Sequence, residues 1–70
     1  MSRRTHPQAL CDAWNALHPI GTAVLVTRDD GSRTATVTRS EAEALSGHTP
    51  VIWLAGIRGC YLLERVEVTP

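Results

Sequence analysis

Apolar residues recur along this chain with two different periods, and the change of period divides it. Over PQALCDAWNAL, Leu10, Trp14 and Leu17 fall at helical spacing with Ala13 beside them, which predicts an amphipathic helix of about three turns over residues 6–18. Pro7 suits its first turn, and the residue before Pro19 is where such a helix ends. From residue 20 onward the pattern becomes that of strands. TAVLVTR, residues 22–28, is β-branched with apolar positions on both faces, as in a strand partly covered on both sides. Asp29-Asp30-Gly31-Ser32 follows, and Asp-Gly between two β-prone runs is a strong hairpin signal. The returning strand, residues 33–38, alternates Ala35 and Val37 with threonines.

Ser40-Glu41-Ala42-Glu43 has the form of a capping box, with Leu45 as an inward anchor and Gly47 as a stop, so a short helical connector is predicted over residues 40–47. The stretch VIWLAGIRGCYLLERVEV, residues 51–68, then reads as strand, turn, strand, brief turn around residues 63–65, and strand. Helix followed by five short strands predicts an α+β, mainly β fold: a small five-stranded SH3-like or Sm-like barrel over residues 20–69, preceded by the amphipathic helix. Gly21, Gly56 and Gly59 are placed to bend its strands, and residues 1–5 are expected to be loose. The helix is the cover within the chain for Trp53, which shares an apolar strand with Ile52 and Leu54 on its other face.

Composition narrows the class of partner. Seventy residues allow one domain with a small core, which leaves self-association open. All seven cations are arginines and they balance seven acidic residues, so the strong positive field of a phosphate-backbone binder is missing. Arg3 and Arg4 are not followed by an apolar run, so neither a signal peptide nor a membrane span is predicted, and a cytoplasmic protein is expected. Cys11 and Cys60 are too few for a disulfide framework, although a single bridge between helix and strand remains open.

Catalytic chemistry finds little footing. His6, His18 and His48 lack partners at metal-ligand spacing, and there is no phosphate-binding glycine loop, so no cofactor is expected. A Cys60 nucleophile would need an activating base such as His48, and the carboxylates at Asp29-Asp30 and Glu41, Glu43 are explained by turn and cap, so the chain is read as a non-enzyme. The candidate binding residues are polar groups at element ends. Arg39 and Ser40 open the predicted connector, His48 follows it, and Arg58 and Tyr61 lie in the next hairpin; together they form a candidate anion or partner site.

With GTAVLVTRDDG, TRSEAEALSGHTPVIWL and GIRGCYLLERV in view, the chain resembles small uncharacterised proteins carried by bacteriophages and prophages. The resemblance implies an accessory protein that binds a host protein, with inhibitors of defence systems, the anti-CRISPR type among them, as the analogous class. Ile57-Arg58-Gly59 ahead of an apolar strand is similar to the second motif of Sm-like RNA-binding proteins, and Leu63-Glu64-Arg65-Val66 to the ending of plasmid-borne type B dihydrofolate reductases, whose active-site segment has no match here. The leading expectation is a binding module for a host protein acting through loops and an exposed strand edge. The alternative is RNA or single-stranded nucleic-acid binding, with Trp53 or Tyr61 stacking and Arg39 or Arg58 on phosphate.

Overall fold

The N-terminal helix, α1, spans Pro7–Leu17 in a computed structural model that describes residues 6–69; the N-terminal residues expected to be loose lie outside that range. His6 caps it, its Nδ1 accepting from the Gln8 N–H at 3.1 Å, and the His18 N–H closes the last turn on the Trp14 carbonyl at 2.8 Å. Its inward face is not the Leu10, Trp14, Leu17 stripe. Leu10 and Leu17 are 42% and 72% exposed, whereas Cys11 is fully buried and Trp14, Asn15 and His18 are half-buried beside it. The helix packs on the second of two sheets, and Asn15 fixes it there: its Oδ1 accepts from the Ala42 N–H at 2.8 Å and its Nδ2 donates to the Ala42 carbonyl at 3.0 Å.

The first sheet has the order β2-β1-β6, from β1 (Ala23–Thr27), β2 (Arg33–Val37) and β6 (Val66–Val68). The β1–β2 hairpin turns as its Asp-Gly predicts. Gly31 sits at φ 89°, and the Asp30 carboxylate accepts from the Ser32 N–H and hydroxyl at 2.9 and 2.7 Å. Those donors hold the Asp30 carboxyl below the usual carboxylate range. Val24 and Val26 point inward from β1 and are fully buried, with Val24 opposite Val68 and Val26 opposite Val66 on β6.

The second sheet has the order β3-β4-β5, from β3 (Glu43–Leu45), β4 (Thr49–Trp53) and β5 (Cys60–Leu62). The helical connector predicted over residues 40–47 does not form. Residues 43–45 are the strand β3, and Ser46 and Gly47, at φ 53° and 74°, make the left-handed turn into β4. A one-turn helix is marginal by itself. The same residues gain a ladder to β4 and the two Asn15 bonds at Ala42, while the Ser40 hydroxyl accepts from the Trp53 N–H at 3.3 Å instead of capping a helix.

The predicted five-stranded SH3-like or Sm-like barrel is also overturned. Among the described residues six strands form two separate three-stranded sheets, neither closed, joined by an isolated bridge between Thr38 and Leu54. Closure needs an unbroken ladder around the ring. Here a 3-10 turn at Leu63–Arg65 sends β5 and β6 to different sheets, so the small α+β fold retains open edges. Gly21, Gly56 and Gly59, expected to bend barrel strands, lie in connections between elements.

The core lies between the sheets and α1: Ile52 and Leu54 from β4 and its end, Val24, Val26 and Val66 from the first sheet, and Cys11 from the helix. Trp53 is half-buried outside this cluster, so the helix covers the Ile52 side and does not cap Trp53 as predicted. Among the described residues one polar residue is buried. Thr38 is 2% exposed, and its hydroxyl oxygen accepts from the Gly21 and Thr22 N–H groups at 3.0 and 3.2 Å, which ties the α1–β1 loop to the bridge between the sheets. Among the described residues no helix is long and apolar enough to cross a membrane.

Candidate functional site

Strand ends bring three arginines to one cleft. Arg28 directly follows β1, Arg58 lies in the β4–β5 connection, and Arg65 is in the 3-10 turn before β6; with Asp29, Tyr61 and Ile57 they line an open space of about 400 Å³. The pairing of Val26 with Val66 explains why Arg65 is there, since one more step along both strands sets it beside the end of β1. Ile57, buried in the core, anchors the connection that carries Arg58.

The three guanidinium groups are held differently. Arg28 is fixed: Nε donates to the Tyr61 hydroxyl at 3.1 Å, Nη1 reaches the Thr34 hydroxyl at 3.4 Å, and the guanidinium carbon lies 5.8 Å from the Tyr61 ring centroid. Arg65 approaches Asp29 at 3.9 Å, but the Asp29 side chain is 91% exposed, so the pair is solvated and weak. Arg58 is exposed and has no side-chain partner among the described residues. With one carboxylate against three guanidinium groups, the cleft carries two positive charges in excess although the whole chain is neutral. Such a site can bind carboxylate or phosphate oxygens through paired N–H donors.

The candidate residues from the sequence therefore separate. Arg58 and Tyr61 meet in the cleft. Arg39 does not join them; its Nε donates to the Leu54 carbonyl at 3.1 Å and its backbone N–H to the Trp53 carbonyl at 3.0 Å. Ser40 is occupied by Trp53 and the Glu41 carbonyl. His48 lines a different space, an apolar groove of about 470 Å³ between Trp14, Pro50 and Leu63. Nothing local in the sequence singles out Arg28 and Arg65, because the register that unites them with Arg58 is set by non-local pairing.

Both cysteines are free. Burial pushes the Cys11 thiol up, with Asp12 and Glu43 adding to the shift, whereas Cys60 is half-buried at the cleft wall. Among the described residues no three His, Cys, Asp or Glu side chains group as metal ligands. Comparison of the chain with protein-family models, curated proteins and solved structures found no match.

Proposed function

We propose that this chain is a phage or prophage accessory protein acting in the bacterial cytoplasm as a non-enzymatic binding module, which holds an acidic segment of a host protein in the Arg28, Arg58, Arg65 cleft. The observation that carries the reading is the convergence of three of the seven arginines on one cleft of a neutral protein. Arg28 is already immobilised by Tyr61 and Thr34, so part of the entropy cost of ordering a guanidinium against a carboxylate is met before binding. The resemblance to phage proteins suggests a host target, a component of a defence system among the candidates.

Two arrangements favour binding a protein over the other readings. Catalysis by Cys60 would need a base beside the thiol, and His48 lines the other groove. Single-strand nucleic-acid binding would need free aromatic faces along a basic track. Neither tryptophan lines the cleft, and Arg28 lies over the ring of Tyr61.

Titration of labelled polyglutamate into the protein and its Arg58→Glu variant tests the reading. Arg58 is exposed and unpartnered among the described residues, so the variant should keep its stability within about 0.5 kcal/mol. Binding should weaken by about tenfold or more as an attraction becomes a repulsion. A wild-type protein that ignores polyglutamate but shifts a single-stranded oligonucleotide at low salt would replace this reading with the nucleic-acid one.

A further inference from the structure

Resting on that reading, we infer that the acidic segment binds as an added strand on the outer edge of β5, pairing with Cys60 and Leu62 while its carboxylates meet Arg28, Arg58 and Arg65. β5 is the last strand of its sheet. Which of its backbone groups face outward follows from β4. In an antiparallel pair, opposed residues alternate between exchanging both hydrogen bonds and exchanging neither. The Trp53 N–H donates to the Ser40 hydroxyl and its carbonyl accepts from the Arg39 N–H, so Trp53 is turned away from its β5 partner Cys60. Ile52 and Tyr61 are therefore the pair that exchanges bonds. The N–H and carbonyl of Cys60 and the N–H of Leu62 are left pointing outward.

The cleft follows that edge. Cys60, Tyr61 and Leu62 all line it, although alternate side chains of a strand point to opposite faces, so the feature the three share is the backbone edge. Arg58 lies just before this edge in the chain and Arg65 just after it, while Arg28 and Asp29 are also in its lining. The edge is only three residues, about 10 Å, long. Main-chain pairing over that length is weak by itself, and the excess positive charge selects an acidic strand to supply the rest. Nothing blunts the edge, since β5 contains neither proline nor a charged side chain. The approach to β3, by contrast, has both backbone groups of Ala42 taken by Asn15 of α1, and β2 and β6, the outer strands of the first sheet, carry the charged Arg33 and Glu67.

Leu62 offers a clean test. Its φ of −60° is the value a proline ring imposes, and its N–H is outside the β4 ladder, so Leu62→Pro should fold while losing an outward donor. The probe is a blocked peptide of alternating glutamate and valine. Wild type and Leu62→Ala are expected to bind it equally, and Leu62→Pro about tenfold more weakly or worse, in keeping with one lost main-chain bond and a blocked edge. Should the proline variant not fold, N-methylation of alternate sets of peptide amides gives the same answer on the wild-type protein: one set abolishes binding and the other spares it. Equal tolerance of both sets, or equal binding by Leu62→Pro and Leu62→Ala, would overturn strand addition. If Arg58→Glu still lost binding in that case, the acidic-segment reading would stand without it. If neither this peptide nor polyglutamate bound, both would fall.

Discussion

Ile52→Ala is expected to cost about 3 to 4 kcal/mol of unfolding free energy, more than any other substitution discussed for this chain. Ile52 is fully buried on β4, between a sheet that includes Val24 and Val26 and a helix that contributes Cys11. Loss of its branched side chain removes transfer free energy and leaves a hole bounded by two strands and a helix, which cannot all move in to fill it. A domain of this length has a net stability of only a few kcal/mol, so the variant should be largely unfolded near room temperature. Trp53→Ala should cost clearly less, because Trp53 is half-buried outside the core cluster. Urea denaturation followed by circular dichroism measures both. A Trp53 variant less stable than the Ile52 variant would contradict this placement of the core.

Asn15→Leu is the second large effect, expected at about 2 to 3 kcal/mol. The side chain is close in size, but its two hydrogen bonds to the backbone of Ala42 disappear, and Ala42 is 5% exposed. A buried N–H and carbonyl then face an apolar group with water excluded. Asn15→Asp separates the two bonds: it keeps an acceptor for the Ala42 N–H and sets a carboxylate against the Ala42 carbonyl, so it should not restore stability. Full stability in either variant would mean that the helix is held by apolar contact alone.

Asn15 also shows why the sequence could be read only in part. The β1–β2 hairpin was legible because its turn is local: Asp30 and Gly31 determine it within four residues. The segment 40–47 was not, since serine followed by a glutamate three positions on serves equally as a cap or as the approach to a strand. The decision came from Asn15, 27 positions away, and from the β4 ladder. The helix is legible in the sequence but its buried face is not. Leu10 and Leu17 are the more hydrophobic stripe, yet the buried side holds the small Cys11 and the polar Asn15, whose side chain bonds both backbone groups of Ala42 while the two leucines rest at the surface.

The same division applies to the cleft. Arg58 and Tyr61 are three residues apart, and their meeting could be expected from a hairpin. Arg28 and Arg65 are 30 and 7 residues from Arg58 in the chain, and only the pairing of β1 with β6 brings them to it. Arg39 looked equivalent in sequence. Its guanidinium is tied to the Leu54 carbonyl beside the bridge that joins the sheets.

That difference among arginines supplies the most direct measurement. In a nitrogen-15-labelled sample, each described guanidinium gives its own Nε–H resonance, and the acidic peptide can be titrated while all are followed together. The resonances of Arg28, Arg58 and Arg65 are expected to shift in concert and saturate at one peptide concentration, while Arg33, paired with Glu67 at 2.8 Å, and Arg39 remain in place. Movement of Arg33 or Arg39 with the cleft arginines unchanged would contradict the assignment of this cleft as the binding site.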